Sequence, residues 1–224
     1  TNASLYNSIT NNAPAVFPQG TTVVTWTLVD AGGIVTTKDQ IVKVNYPPCG
    51  AGYMVEYDNH TYSTVRMGCN CWLAENLQNR TNSVGNPTHG RAYYYYDGYA
   101  DTVANQAQFG LLYKWADASA NTGTTLTGNG DTRQRGICPA GWYFPELSDW
   151  QLIRDSYTAY SIMSNAQANY WLGEGLATNT SGFGAVPGGY MNGTDGLYYN
   201  IMGEAYFWTE THTGVSAQCA KLGF

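Results

Sequence analysis

Residues 136–150 read GICPAGWYFPELSDW, and the two halves of this stretch predict different backbone structure. Pro139 and Pro145 exclude a helix interior from the first half, because proline lacks a backbone N–H and pushes the preceding residue towards extended backbone. In the second half, Ser148 or a neighbour can cap a helix that begins just before Trp150. Apolar residues recur three and seven positions after Trp150, on one helix face. The stretch predicts a cysteine-containing loop, a short extended piece and a helix packed on the core.

The composition favours a loop-rich protein that acts outside the cytosol. Gly occurs 26 times and Tyr 19 times, and only 12% of the 224 residues are charged. Such a mixture suits a β or α+β protein with many turns. The net charge of −6 gives no basic surface for nucleic acid, and no apolar run approaches the roughly 20 residues of a membrane helix. We expect a secreted or cell-surface protein in its processed form, without a cofactor or a membrane span.

The cysteines predict disulfides in preference to a metal site. Their odd number leaves at least one that does not pair within the chain. Cys69 and Cys71 are separated by one residue, a spacing that suits neither a redox motif nor a zinc site. All five are disulfide candidates, with Cys49 expected to pair with Cys69 or Cys71, and Cys138 with Cys219.

The N-terminal residues 1–46 predict β-strands. Apolar and polar residues alternate over 23–29, the turn DAGG follows at 30–33, and a second alternating run covers 34–44. This pattern predicts a β-hairpin. A further strand is expected near residues 4–10.

The same segment resembles part of a known module. Residues 17–33 read FPQGTTVVTWTLVDAGG, and residues 11–44 as a whole resemble the closing part of an HYR-type immunoglobulin-like module. A complete sandwich of this class needs about seven strands. Three or four strands would expose an apolar face and unpaired edges. We therefore expect that the module is truncated or that another chain supplies strands by β-augmentation.

Residues 47–52, PPCGAG, predict a Pro-rich linker that leads into a second domain at 53–224. Two runs at 53–57 and 62–67 predict a hairpin about residues 58–61. Five tryptophans of this domain are expected in its core: Trp72, Trp115, Trp142, Trp150 and Trp208.

Six blocks of the second domain, taken in order, resemble the signature of the Fibrobacter succinogenes major paralogous domain. They lie at residues 62–68, 71–77, 110–115, 136–145 with Trp150, 182–190 and 207–209. The resemblance implies a C-type-lectin-like fold related to formylglycine-generating enzymes, on secreted and surface proteins of Bacteroidota and Fibrobacterota. It implies no enzymatic role. The expected fold class is α+β, a loop-rich lectin-like domain with one or two helices, preceded by an incomplete immunoglobulin-like β-sandwich.

A tyrosine-rich run supplies the candidate binding residues, which are Tyr93, Tyr94, Tyr95, Tyr96 and Tyr99. On a strand, alternate rings point to opposite faces. The run can fill the core and cover loops, form a protein interface, or stack on sugar rings, since tyrosine combines a flat apolar ring with a polar tip.

Motifs for catalysis or firm metal binding are missing from the sequence. There is no Gly-x-Ser-x-Gly, His-Glu-x-x-His or phosphate-binding loop. Glu146 and Asp149 sit at the predicted helix start, where acidic groups complement the helix dipole. Asn192, Asp195 and Glu204 are candidate calcium ligands, although a Gly-rich surface turn is the better explanation of these residues.

Two functions remain open from the sequence. The first is a non-enzymatic structural subunit of a cell-surface filament or adhesive array, joined to neighbouring subunits by β-strand pairing. The second is a carbohydrate-binding adhesin module that uses the tyrosine-rich surface. The expected partners are further copies of the chain or neighbouring subunits, and a polysaccharide.

Overall fold

The computed structural model describes residues 6–15, 17–18, 20–44, 48–81, 103–119, 124–126, 132–165, 171, 176–213 and 216–223. The chain divides into two compact units, Thr1–Pro47 and Pro48–Phe224. Small, mostly antiparallel sheets and a few short helices, joined by many loops, make the protein α+β in class.

The first unit is a three-stranded antiparallel sheet in the order β1-β2-β3, with β1 at Tyr6–Asn11, β2 at Gly20–Asp30 and β3 at Val35–Val44. The predicted hairpin is confirmed. Its turn forms because the Asp30 carboxylate accepts hydrogen bonds from the backbone N–H groups of Gly32 and Ile34, both 2.8 Å away. Gly33 supplies a φ of 85°, which other residues adopt only with strain.

This sheet has almost no buried interior. Val24 is the one buried hydrophobic side chain among the described residues of the unit. Seven large apolar side chains are exposed instead: Tyr6, Ile9, Val23, Trp26, Ile34, Val35 and Ile41. The three strands form a single layer, so the predicted immunoglobulin-like sandwich is not confirmed.

The second unit begins with a three-stranded meander: β4 at Met54–Tyr57, β5 at His60–Met67 and β6 at Asn70–Leu73. The predicted turn at 58–61 is shorter than expected. Asp58 and Asn59 alone form it, with φ values of 51° and 61°, a two-residue turn that fits the twist of a hairpin.

Short elements connect the meander to the rest of this unit: α1 at Val103–Phe109, α2 at Trp115–Ala118, the β7–β8 pair at Thr124–Leu126 and Thr132–Gln134, α3 at Leu147–Ser156 and α4 at Ala159–Ile162. Helix α3 is the helix predicted from residues 136–150, but its cap is Glu146 instead of Ser148. The backbone N–H of Glu146 donates to the Asp149 carboxylate at 2.8 Å, which completes a capping box.

The last part of the chain forms a four-stranded sheet in the order β10-β9-β11-β12. Its strands are β9 at Gly188–Met191, β10 at Tyr198–Ile201, β11 at Glu204–Thr213 and β12 at Ser216–Gly223. Strands β9 and β11 run parallel and meet at Gly189 and Ala205. Gly189 is required there, because a Cβ atom would lie 2.3 Å from the Tyr199 carbonyl oxygen.

Helix α3 and the four-stranded sheet enclose the main core, whose buried members include Ile153, Met163, Trp171, Phe183 and Ala205. Ala118, Ile137 and Phe144 form a second buried cluster, which holds the loop at residues 136–145 against the domain. Within the described part of the chain, no helix combines the length and apolar character that a membrane crossing requires.

Candidate functional site: an aromatic cleft in the second unit

The described residues of the second unit surround a cleft of about 1120 Å³. Ligand sites in proteins typically measure roughly 300–1,000 Å³ and are lined by aromatic and apolar groups with a few polar ones. The cleft is slightly larger than this range, and its lining matches the description, since it includes Trp72, Trp115, Trp142, Trp150, Tyr190, Tyr206, Phe207 and Trp208.

The five tryptophans that the sequence placed in the core are only partly buried. Trp72 and Trp150 pack against the main core in an edge-to-face pair with ring centroids 4.9 Å apart. Trp115 lies 5.5 Å from Trp208, whose Nε1–H donates to the Tyr113 carbonyl oxygen at 2.8 Å. The prediction is confirmed in part, because Trp72, Trp150, Trp115 and Trp208 pack against the core clusters, while all five tryptophans also line the cleft.

Three tyrosines at one end of the four-stranded sheet form a group that we name the tyrosine platform: Tyr190, Tyr199 and Tyr206. Tyr190 of β9 stands directly opposite Tyr199 of β10, and their rings stack with centroids 5.7 Å apart. On its other side, the Tyr190 ring lies 4.9 Å from the Tyr206 ring. All three side chains are half-buried, and Tyr190 and Tyr206 line the cleft.

Carboxylates hold two of these rings in place. The Tyr206 hydroxyl donates to Glu204, which also accepts from Asn200 and from the Lys221 ammonium. The hydrogen bond from Lys221, followed by that from Tyr206, lowers the pKa of Glu204 to about 2. Burial and the bond to Glu204 raise the pKa of Tyr206 to about 12. The phenol therefore stays a donor, and the carboxylate stays ionised, over the whole physiological range.

A second carboxylate, that of Asp195, holds the Tyr199 ring in place in the same way. The Tyr199 hydroxyl donates to Asp195 at 2.8 Å, and the backbone N–H of Leu197 donates to the same carboxylate at 2.9 Å. The bond from Leu197 and then that from Tyr199 lower the pKa of Asp195. Asp195 is thus an anchor for the Gly-rich turn between β9 and β10.

Hydrogen bonds to other protein groups engage all three candidate calcium ligands. Asn192 and Asp195 contact each other within the turn, whereas Glu204 belongs to the separate network with Lys221. Among the residues that the structure describes, no group of three His, Cys, Asp or Glu side chains is placed to hold a metal ion.

The acidic pair at the start of α3 also has a structural role. Asp149 is buried, and its carboxylate accepts from Asn70 at 2.9 Å as well as from the capping backbone. Arg133 lies 3.2 Å from Asp149 and 3.4 Å from Glu146. The arrangement joins β6, β8 and the helix start.

One disulfide is present, between Cys49 and Cys71, which selects one of the two predicted partners of Cys49. The second expected bridge is not formed, since Cys138 and Cys219 both carry free thiols. Cys138 is buried, and burial raises its pKa to about 12, so it behaves as an inert core residue. Cys69, the other predicted partner of Cys49, is exposed.

The predicted binding residues Tyr93, Tyr94, Tyr95, Tyr96 and Tyr99 lie outside the residues that the structure describes. The tyrosine platform was missed at the sequence level. A usable signal existed, because a strand over residues 206–208 places Tyr206 and Trp208 on the same face. The stacking of Tyr190 on Tyr199 depends on strand register, which the sequence does not reveal.

The comparisons with known proteins agree with the sequence blocks. The family model of the Fibrobacter succinogenes major domain matches residues 65–222, most of the second unit, and the chain belongs to this family. No curated protein and no solved structure matches the chain.

Proposed function

We propose that the protein is a non-enzymatic extracellular interaction protein, a subunit of a cell-surface filament or adhesive array. Its N-terminal sheet joins a neighbouring copy by β-strand pairing. The observation that carries this proposal is the open sheet of the first unit, which has one buried hydrophobic side chain and seven large exposed ones among its described residues. Exposed apolar surface beyond scattered single residues marks interaction sites.

The two edges of the sheet differ in their chemistry. All six residues of β1, YNSITN, are exposed and uncharged. The opposite edge, β3, carries Lys38, Asp39 and Lys43. Charged side chains, lysine above all, discourage pairing at an edge. We therefore assign the contact between subunits to β1, the uncharged edge strand, which would pair with a strand of the next subunit.

The exposed faces of the sheet support the same assignment. Val23 stands opposite Ile41, and Val29 stands opposite Val35, so their side chains form apolar patches on one face. On the other face, Ile9 stands opposite Leu28. Burying a Val or Ile side chain contributes about 1.5–3 kcal/mol. Covering a few of them offsets much of the cost of association.

Several further features support an extracellular setting. The Cys49–Cys71 disulfide is typical of oxidising compartments, and the composition is poor in charge and rich in tyrosine. The family resemblance adds an expected place on secreted or surface proteins of Bacteroidota and Fibrobacterota. We extend the proposal to a C-type-lectin-like fold for the second unit and an immunoglobulin-like origin for the first.

Light scattering coupled to size exclusion, over a hundredfold range of protein concentration, tests the assembly. We expect a mass that rises above that of one chain as concentration increases. The variant Ile9→Lys places a charge on β1 and should return the protein to a single chain. The control Leu152→Lys changes an exposed apolar residue of α3 and should assemble like the parent. A parent protein that stays a single chain at every concentration contradicts the proposal.

A second function, carbohydrate binding, is favoured by one observation: the half-buried tyrosine platform beside the aromatic cleft. Flat rings with fixed polar tips are suited to the alternating apolar and hydroxyl-bearing surfaces of sugars. The two functions are compatible, since one uses the first unit and the other uses the second.

A further inference from the structure

We infer that the tyrosine platform, together with the adjoining part of the cleft, binds an uncharged polysaccharide whose sugar rings lie against Tyr190, Tyr199 and Tyr206. This inference rests on the second function proposed above, carbohydrate binding, and is independent of subunit assembly. It assigns the sugar contacts to the four-stranded sheet; the tyrosine run at residues 93–99 lies outside the described residues.

The three rings contact one another and form one aromatic cluster. Tyr190 is central, with Tyr199 at 5.7 Å in a stacked arrangement and Tyr206 at 4.9 Å in a tilted one. Beyond Tyr206, Trp208 follows two residues later on β11, and side chains at this spacing share a face. Tyr206 and Trp208 both line the cleft. The aromatic surface therefore leads from the sheet end into the cleft, as a site for several consecutive sugars requires.

The polar groups hold this surface in one arrangement before any ligand arrives. A hydrogen bond to Asp195 fixes Tyr199, and a hydrogen bond to Glu204 fixes Tyr206. The Glu204 carboxylate also accepts hydrogen bonds from Asn200 and Lys221. Rings that are already oriented lose little conformational entropy on binding, and this loss is a main cost of association. Carboxylate oxygens have further lone pairs, so Asp195 and Glu204 can each accept a sugar hydroxyl in addition to the phenol.

The charge of the platform selects the class of polysaccharide. Two carboxylates flank the rings, and the nearby Lys221 ammonium is already paired with Glu204. The chain as a whole carries a net charge of −6. A polymer of uronic acids would bring further negative charge next to Asp195 and Glu204, whose cationic neighbour Lys221 is already engaged by Glu204. An uncharged polymer meets no such repulsion and presents hydroxyl donors to both carboxylates.

Isothermal titration calorimetry of the full chain against three uncharged polymers provides the first test: mixed-linkage β-glucan, arabinoxylan and galactomannan. Polygalacturonate serves as the acidic comparator. We expect binding to at least one uncharged polymer, at least about tenfold tighter than to polygalacturonate. If none of the four polymers binds, both the inference and the carbohydrate-binding function are wrong. If polygalacturonate alone binds, the function stands and the inferred ligand class is wrong.

Substitutions on the platform provide the second test, with the polymer that binds best. Tyr199→Ala removes an outer ring, and we expect its affinity to fall about tenfold or more. Tyr206→Phe keeps the ring and loses the hydroxyl bound to Glu204, so a smaller loss is expected. The control Tyr53→Ala removes a tyrosine ring that is 37% exposed on the edge of the meander, and it should bind like the parent.

Each variant is compared with the parent by its thermal midpoint, so that a loss of binding is not mistaken for a loss of fold. If folded Tyr199→Ala and Tyr206→Phe both bind the polymer with the parent's affinity, the site is not the tyrosine platform, and only the carbohydrate-binding function survives. If Tyr53→Ala weakens binding as much as Tyr199→Ala does, the inference is equally contradicted.

Discussion

Trp150 of α3 stacks on Phe207 of β11, with ring centroids 4.8 Å apart and ring planes 29° apart. Phe183 packs edge-to-face with both rings, with ring centroids 5.9 Å apart in each pair. This contact joins the helix to the four-stranded sheet and closes the main core. We expect Phe207→Ala to lower the free energy of unfolding by about 3 kcal/mol, because it leaves a cavity between the two elements. Urea denaturation monitored by tryptophan fluorescence measures the change.

Leu152→Ala is the control for this prediction. Leu152 belongs to the same helix but is 65% exposed, so its truncation should change the free energy of unfolding by no more than about 0.5 kcal/mol. Equal effects of the two substitutions would show that the helix is not held by the aromatic stack.

Substitution of two glycines in the 136–150 stretch distinguishes the cost of backbone strain from the cost of a steric clash. Both have positive φ, 53° at Gly136 and 84° at Gly141. A Cβ at Gly136 would lie 2.2 Å from the Phe144 ring and 2.4 Å from the Ala118 carbonyl oxygen, whereas a Cβ at Gly141 meets nothing. We expect Gly141→Ala to cost about 1 kcal/mol of stability from strain alone. Gly136→Ala should cost roughly 2 kcal/mol more, as thermal or urea unfolding can measure; equal losses would refute the assigned packing.

The stability of the protein should depend on Glu204 at acid pH. Lys221 and Tyr206 lower the pKa of Glu204 to about 2 in the folded protein, from about 4.3 in an unfolded chain. The stabilisation is therefore fully present above pH 5 and is lost as the pH falls from about 5 to 2. Since the group lies near solvent, we expect a contribution of about 1 kcal/mol.

Unfolding free energies measured between pH 6 and pH 2 test this expectation. Glu204→Gln should lose less stability over that range than the parent, and Lys221→Gln should fall between the two because it keeps the carboxyl group and removes the ammonium. A parent and a Glu204→Gln variant with the same pH dependence would exclude the stabilising role of the network.

The free thiols should differ in reactivity. Cys138 is buried with a pKa of about 12, and Cys219 is exposed on β12. With an alkylating reagent at pH 8 and no reductant, we expect modification of Cys219 in the folded protein, and of Cys138 only after unfolding. Peptide mass mapping identifies the sites. If both stay unmodified until a reductant is added to the unfolded chain, they form a disulfide and the free-thiol assignment is wrong.

Local features of the fold were predictable from the sequence. The turn after Asp30 has a side-chain acceptor and a glycine in the required places, so the β2–β3 hairpin could be placed. The start of α3 was found within two residues, because capping groups and an apolar face coincide there. Glu146 was not recognised as the cap, since glutamate is not among the residues preferred at that position.

Features that depend on distant residues were not predictable. The Trp208–Tyr113 hydrogen bond joins groups 95 residues apart, and no local pattern indicates such a pairing. The predicted Cys138–Cys219 bridge failed for a similar reason, because cysteine spacing alone does not fix distance or orientation. The tyrosine platform needed the register of β9 against β10, which puts Tyr190 beside Tyr199.

The Cys49–Cys71 bridge determines how a pulling force would travel along the chain. The bridge encloses residues 50–70, which include β4 and β5. Tension that enters from the N-terminal side of Cys49 crosses the covalent bond directly to Cys71, so the enclosed hairpin bears no load. About 75 Å of chain is thereby prevented from unravelling under stretch. If force is applied to a subunit at its N-terminal strands, the disulfide transmits that force to β6 and the aromatic core. The disulfide thereby prevents β4 and β5 from unfolding under the load.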